Sequence, residues 1–181
     1  MTRMTTWPDA PLLPSPPLPA PRLDAQLCFK VYAVNNLLGR LYRPLLEPLG
    51  LTYPQYLAML ALWEVGEATV GDLGRRLKLD SGTLTPLLKR LEAAKLVTRR
   101  RDEEDERRVV VSLTAAGATL SRGSEAIPLE LACRVDDVAM RDPDEFKTLS
   151  ARLQSLIDAL ADACERKKAF PAASSGVSSE G

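Results

Sequence analysis

Apolar side chains recur at helical spacing along most of this chain, and the elements they predict are mainly helices. Between residues 24 and 46 they fall three or four positions apart, which predicts an amphipathic helix capped by Asp24 and bent or ended by Pro44 and Pro48. The apolar positions of that helix are Leu27, Val31, Val34, Leu38, Leu41 and Leu45. The next segment, TYPQYLAMLALWEV, is apolar on nearly all sides and predicts a buried helix with Pro54 in its first turn.

A pair of short helices and a hairpin are predicted next. The segment TVGDLGRRLKLDSGTLTPLLKRLEAAKL predicts a helix over residues 70–77, a turn at Lys78 and Leu79, and a helix from Asp80 to Ala94, which together form a helix-turn-helix. In LVTRRRDEEDERRVVVSLT, strands are expected near 97–101 and 107–113, because a run of valines favours the returning strand. Two further helices are expected over residues 115–139 and 144–167.

The order of these elements predicts a mainly α fold with a small β-hairpin wing, in which a winged helix-turn-helix is flanked by helices at both ends. Residues 1–22 contain seven prolines and are expected to form a disordered arm, and residues 169–181 a disordered tail. No stretch of 18 apolar residues exists, so no membrane span is expected. The N-terminus lacks the continuous apolar core of a signal peptide, which favours a cytoplasmic protein.

The composition excludes several classes of chemistry. The chain has no histidine, which removes Ser-His-Asp and Cys-His catalysis and His-ligated metals. Its three cysteines, Cys28, Cys133 and Cys164, are an odd number without CxxC spacing, which argues against a disulfide framework and against a zinc site. We therefore expect a protein that is not an enzyme and that binds neither a metal nor another cofactor.

Charge is segregated along a chain whose net charge is zero. Residues 71–101 carry nine basic side chains against three acidic ones, whereas residues 112–165 carry five basic against ten acidic. A local positive excess on the helix-turn-helix is typical of a face that binds a polyanion. The expected partner is double-stranded DNA, with the second helix of the pair in a major groove. The candidate DNA-binding residues are Ser81, Thr83, Thr85, Lys89, Arg90, Arg99, Asp105 and Arg107.

A plainer interpretation exists for parts of this interface. Thr83 and Thr85 can serve only to cap or pack the helix, and the hairpin tip RRRDEEDERR is electrically neutral, as a solvated loop would be. An arginine at a wing tip can instead enter a minor groove, with an acid two residues earlier orienting its guanidinium, and Asp105 and Arg107 have that spacing. Pro86 lies inside the recognition helix, where it removes one backbone hydrogen bond.

Several segments together resemble one known family. LTYPQYLAMLALWE, LDSGTLTPLLKRLEAAKLVTRRRDEEDERRV and VSLTAAG are similar to MarR-type winged-helix regulators, and LDAQLCFKVY with LTYPQY resembles the organic hydroperoxide sensors, OhrR, of that family. The resemblance implies a homodimer on a palindromic operator that represses a peroxide-detoxification gene. It implies a dimerisation and sensor region over 23–53, the DNA-binding domain over 54–113 and C-terminal dimerisation helices over 114–168.

The resemblance also implies roles for individual residues. Cys28 would be the thiol that senses organic hydroperoxide, and Tyr42 and Tyr53 would hydrogen-bond it across the dimer. One subgroup resolves the oxidised thiol as an intersubunit disulfide, and Cys133 is suitably placed for that role. Lys95 replaces the glycine usual in AAGLV, so we expect a left-handed lysine that costs about 1 kcal/mol. Two alternatives stay open: a repressor released by a small apolar or phenolic ligand, with Cys28 structural, and a thiol peroxidase.

Overall fold

A computed structural model of the chain describes residues 22–135 and 142–169. The chain divides into two compact units, residues 1–114 and residues 115–181. The described residues confirm the predicted fold class, since helices dominate and the strands form one small antiparallel sheet. The predicted Pro-rich arm and C-terminal tail lie almost entirely outside these ranges. Within the described ranges, no helix has the length and apolarity needed to cross a membrane.

Helix α1 spans Leu27–Leu46 and follows a 3-10 turn at Leu23–Ala25. The prediction that Asp24 caps this helix is wrong, because Gln26 occupies the N-cap position and makes no side-chain capping bond. The Asp24 carboxylate instead accepts two hydrogen bonds from the Arg22 guanidinium, at 3.1 and 2.8 Å. Charge-assisted bidentate pairs of this kind are stronger than a bond to a neutral backbone N–H, so they compete with capping.

Helix α2 spans Tyr53–Val65 and is the buried helix that the sequence predicts. Pro44 is accommodated inside α1 near its end, and Pro48 lies in a 3-10 turn that separates the two helices. Thr52 and Gln55 form a capping box at the start of α2, in which Gln55 Oε1 accepts the Thr52 backbone N–H at 2.8 Å. The buried side chains of α2 are Tyr56, Ala58, Met59, Ala61 and Leu62.

Three strands form one antiparallel sheet in the order β1-β3-β2. Strand β2 spans Val97–Arg101 and strand β3 spans Val109–Leu113, which confirms the predicted hairpin, although β3 begins two residues later than expected. Strand β1 spans Glu67–Thr69 and is an addition to the prediction, because three residues without an apolar run carry no strand pattern. It forms on the edge of β3 that the hairpin leaves unpaired, where Ala68 lies opposite Val111.

Helices α3, Val70–Leu77, and α4, Ser81–Ala93, form the predicted helix-turn-helix. The turn between them lies close to α3, because a Cβ atom added at Gly74 would be 2.9 Å from the carbonyl oxygen of Leu79. A larger residue at position 74 would therefore displace the turn. Helix α4 is continuous through Pro86 despite the hydrogen bond that the proline removes.

The first unit buries an apolar core that holds the recognition helix in place. Leu84, Leu88 and Leu91 lie four and three residues apart on one face of α4, and none of the three is exposed to solvent. This packing stabilises a helix that its internal proline would otherwise weaken. The largest fully buried side chains of the described residues are Tyr56, Leu46, Met59, Leu62, Leu73, Leu84, Leu88, Leu91, Val97 and Val111.

The second unit contains helices α5, Ala115–Ser124, α6, Ile127–Arg134, and α7, Pro143–Ala169. The prediction of one continuous helix over 115–139 is wrong, because a turn at residues 125–126 separates α5 from α6. Pro128 explains the break, since a proline inside a helix lacks the N–H donor and its ring clashes with the carbonyl four residues earlier. Residues 136–139 of the predicted helix lie outside the described ranges.

Candidate nucleic-acid interface and thiol site

Helix α4 presents polar side chains outside the face that its leucines bury. Ser81, Thr85 and Lys89 are spaced four residues apart and share one side of the helix, with Arg90 next to Lys89. Ser81, Lys89 and Arg90 are exposed, and Thr85 is half-buried. Hydroxyl groups near the N-terminus and basic groups farther along suit a helix that reads base edges and holds phosphates in a major groove.

Thr83, by contrast, is committed to capping the recognition helix. Asp80 is the N-cap residue of α4, and its carboxylate accepts the Thr83 backbone N–H at 2.8 Å and the Thr83 hydroxyl at 2.9 Å. These hydrogen bonds, the backbone one foremost, lower the pKa of the Asp80 carboxyl. Because the Thr83 hydroxyl has an intramolecular partner, capping is the role that its geometry favours.

Both helices of the pair are followed by a lysine in a left-handed backbone conformation. Lys95 has φ 59°, as expected from the replaced glycine, and Lys78, at the end of α3, has φ 55°. The Lys95 N–H donates to the Glu92 carbonyl at 2.8 Å, and its carbonyl accepts the Thr114 hydroxyl at 2.7 Å. These bonds hold a conformation that residues with a Cβ atom otherwise avoid.

The Arg99 guanidinium ties the wing, the hairpin of β2 and β3, to the recognition helix. Its Nε lies 2.9 Å and its Nη2 lies 2.5 Å from Oε2 of Glu92 on α4, and its side chain is only 23% exposed. This ion pair gives Arg99, a predicted DNA contact, a positioning role within the chain. Sequence reasoning missed Glu92, because a single acid on a charged helix reads as a solvated side chain.

Backbone hydrogen bonds shape the wing tip. Asp105 Oδ1 accepts the backbone N–H of Arg107 at 3.1 Å, and the Asp105 carbonyl accepts the Arg108 N–H at 2.9 Å. The Asp105 carboxylate thus contacts the Arg107 backbone, and the expectation that it orients the Arg107 guanidinium stays a prediction. A short Asx-type bond of this kind fixes the turn that carries the exposed Arg107 side chain.

A cleft of about 550 Å³ separates the wing from the helix-turn-helix. Thr85 of the recognition helix lines one side, Arg107 and Arg108 of the wing line another, and Arg75 reaches the cleft from α3. Arg75 and Arg108 were not singled out by sequence reasoning, and the signal that pointed towards them was the basic excess of residues 71–101 with the arginine-rich tip.

The Cys28 thiol is exposed at the start of α1. Cys28 is the second residue of the helix, so it lies in the first turn. The first turn of a helix carries partial positive charge and unpaired N–H groups. Leu27 and Val31 beside it are exposed apolar side chains. The thiol is therefore accessible in an apolar setting.

Tyr42 and Tyr53, the predicted thiolate partners, lie against each other. Their rings stack with centroids 4.4 Å apart and planes 23° apart, and Tyr56 lies 5.9 Å from Tyr42 in the same aromatic cluster. Burial raises the pKa of Tyr42 and of Tyr53, and the neighbouring tyrosines raise that of Tyr42 further. Both hydroxyls therefore stay protonated at neutral pH and are able to donate a hydrogen bond.

The other two cysteines belong to the second unit. Cys133 lies on α6 and Cys164 on α7, and both are exposed free thiols. Among the described residues, no three His, Cys, Asp or Glu side chains are grouped closely enough to hold a metal ion.

Known proteins match this chain over most of its length. A family model described as transcriptional regulator SarA/Rot matches residues 40–123. The chain is 45% identical over 139 residues to the organic hydroperoxide resistance transcriptional regulator of Bacillus subtilis (strain 168), covering 77% of this chain and 92% of that protein. Reduced AbfR bound to DNA is similar with a TM-score of 0.62 and 35% identity over 77% of this chain and 94% of that one. Disulfide-formed AbfR is similar with a TM-score of 0.50 and 37% identity over 75% of this chain and 92% of that chain. AbfR comes from Staphylococcus epidermidis.

A helix-turn-helix with a polar, basic recognition face and a hairpin wing defines a DNA-binding protein of the transcription-regulator class. The chain belongs to the MarR/SarA family of winged-helix transcriptional regulators. DNA binding by this family accounts for the excess of basic side chains in residues 71–101 of a chain whose net charge is zero.

Proposed function

We propose that this regulator is a homodimeric repressor that senses organic hydroperoxides through oxidation of Cys28 and then releases a palindromic operator. The observation that carries the proposal is the position of Cys28, an exposed thiol in the first turn of α1. A thiol sensor must be accessible to its oxidant, and the exposed Cys28 thiol meets that requirement. The Bacillus subtilis relative is an organic hydroperoxide resistance regulator, which agrees with this signal.

The dimer is supported by apolar side chains that the single chain leaves exposed. On α1 these include Leu27, Val31 and Val34, spaced four and three residues apart on one face. Helix α7 has a second exposed apolar stripe, with each member three or four residues from the next. Its members are Phe146, Leu149, Leu153, Ile157 and Leu160. Two helices whose apolar stripes stay exposed among the described residues favour burial against a second copy of the chain.

The tyrosine pair supports a thiolate at Cys28. Protonated Tyr42 and Tyr53 hydroxyls are hydrogen-bond donors, and a donor stabilises the charged form of an acid. In the proposed dimer these hydroxyls of one protomer face the thiol of its partner. Stacking of the two rings holds Tyr42 of α1 against Tyr53 of α2.

The proposed chemistry has two steps. The Cys28 thiolate attacks one peroxide oxygen, the O–O bond breaks, and the products are a Cys28 sulfenic acid and an alcohol after protonation of the alkoxide. The Cys133 thiol of the partner protomer then attacks the sulfenic sulfur and releases water, which leaves an intersubunit disulfide. The existence of a disulfide form of AbfR supports this second step. A new covalent bond between protomers would change the spacing of the two recognition helices and weaken operator binding.

The test is a mobility shift on DNA upstream of the protein's own gene, with and without cumene hydroperoxide, run beside non-reducing gels. The wild type should lose the shift and gain a disulfide-linked dimer band. Cys28→Ser should bind DNA as tightly as the wild type and keep it in peroxide. Cys133→Ser should lack the dimer band, and Cys164→Ser is the matched control, which should behave as the wild type.

Two results would contradict the proposal. Release of the Cys28→Ser protein by peroxide would move the sensor to another residue. Persistent DNA binding by the wild type after complete oxidation of Cys28 would remove redox sensing altogether and favour a repressor released by a small ligand.

A further inference from the structure

The cleft between the wing and the helix-turn-helix has the charge of an anion site. Four arginines line it against one acid, Asp72. The remaining polar lining includes the Thr85 side chain and the first residues of α3, where the helix dipole adds partial positive charge. The four arginines are Arg75, Arg99, Arg107 and Arg108.

The internal pairing of these arginines leaves net positive charge facing the cleft. Arg99 is neutralised by Glu92, and Arg75 forms an ion pair with Asp72. The Asp72 carboxyl is ionised at neutral pH, since its pKa is lowered mainly by the Thr69 hydroxyl and further by Arg75. Arg108 is held loosely, with its Nε 3.8 Å from Asp102 Oδ2 and its side chain 54% exposed.

The position of the cleft identifies its occupant. One wall belongs to the recognition helix and the other to the wing. If that helix enters a major groove and a wing arginine enters the adjacent minor groove, the two walls lie on either side of one DNA strand. In duplex DNA a sugar–phosphate backbone always separates a major groove from the neighbouring minor groove. A protein that inserts an element into each groove must therefore straddle that backbone. The cleft is the space between the two inserted elements.

We infer that this cleft is the seat for a backbone phosphodiester of the operator, held by Arg108 and Arg75. The inference rests on the DNA-binding function and on the homodimer proposed above, so two cleft phosphates are neutralised per operator. Both arginines act on position and affinity and carry no sequence information, because phosphates are alike at every base pair. Asp72 opposes the phosphate and limits the affinity of the cleft.

The test measures operator affinity against salt concentration for reduced protein without peroxide, so it does not depend on the redox proposal. The probe is a duplex that the wild type selects from a random-sequence library. Each lost phosphate contact lowers the slope of log K against log salt by about 0.9, so Arg108→Ala should lower it by about 1.8 per dimer. That slope corresponds to a loss of about 60-fold in affinity at 0.1 M salt that vanishes near 1 M.

Matched variants separate the cleft from general charge. Arg122→Ala removes an equal charge from exposed α5 and should leave the salt slope unchanged. Asp72→Asn removes the opposing negative charge and should therefore tighten operator binding at low salt. The asparagine amide oxygen can still accept the hydrogen bond from the Thr69 hydroxyl. Melting curves of each variant check that the fold is intact.

The decisive experiment replaces single phosphates of the DNA with uncharged methylphosphonates. In the wild type, one position per half-site should weaken binding, and at that position Arg108→Ala should cause no further loss. The inference is overturned if Arg108→Ala and Arg122→Ala have the same salt slope, or if the loss from Arg108→Ala is equal at every methylphosphonate position.

Discussion

Replacing Lys95 with glycine is expected to stabilise this protein, although it deletes a charged side chain. Lys95 has φ 59°, in the left-handed region, where a Cβ atom costs roughly 1–2 kcal/mol. Glycine removes that strain but has a more flexible unfolded state, which offsets about 0.5–1 kcal/mol. The net gain should be about 0.5–1 kcal/mol, or a rise in melting temperature of roughly 1–4 °C for a chain of this size. The backbone bonds of residue 95 to Glu92 and Thr114 need no side chain at position 95 and persist.

Lys95→Ala is the control for this prediction. Alanine removes the charge and the long side chain of this exposed residue but keeps the Cβ atom, so the strain remains. Thermal and urea unfolding of both variants and the wild type should be compared at one protomer concentration, because association shifts apparent stability. If the glycine variant is no more stable than the alanine variant, the left-handed strain at Lys95 is not a real contribution to stability.

The remaining predictions concern the cap of the recognition helix and the wing. Asp80→Ala should lower the urea midpoint at neutral pH, whereas Asp80→Asn should keep most of the cap, because asparagine is an equally good N-cap residue. The folded Asp80 pKa lies below its ordinary value of 3.8, so the stabilisation from its charge is present at neutral pH and is lost as pH falls through the folded value. The difference in free energy of unfolding between the wild type and Asp80→Asn should therefore shrink as the pH is lowered. A difference that stays constant until Asp80 is fully protonated would contradict this prediction. Arg107→Ala should weaken operator binding by about 10- to 100-fold per half-site in a titration, with unchanged peroxide oxidation of Cys28; unchanged affinity would remove the wing tip from the interface.

Local patterns predicted the helical part of this fold well. The bounds of α3 and the start of α4 at Asp80 follow from side chains within a few residues of each helix end. The left-handed conformation of Lys95 was likewise predictable, because the requirement for it comes from the helix end itself. Errors arose where two local signals competed. The Asp24 carboxylate pairs with the Arg22 guanidinium and does not cap the helix. The apolar pattern continues past Pro128, but the proline interrupts the helix there.

The functional sites divide in the same way. The sequence identified the basic segment, the recognition helix and Cys28, since each is a property of residue type and local order. The pairing of Arg99 with Glu92 depends on how the wing packs on α4. The contact of Asp105 with the backbone of Arg107 depends on the shape of the hairpin tip. No periodicity encodes either contact.

By itself, then, the sequence determined the class of the protein, most of its helices, and the residues available for chemistry. Only the tertiary structure decided which of those residues meet. Strand β1 exists because β3 offers a free edge, and Glu67 pairs there with Ser112 from 45 residues away. The cleft that brings Arg75 to Arg108 and the stacking of Tyr42 on Tyr53 arise from packing of separate elements. Local structure is set by neighbours in the chain, whereas such sites depend on chain segments whose approach only the buried core fixes.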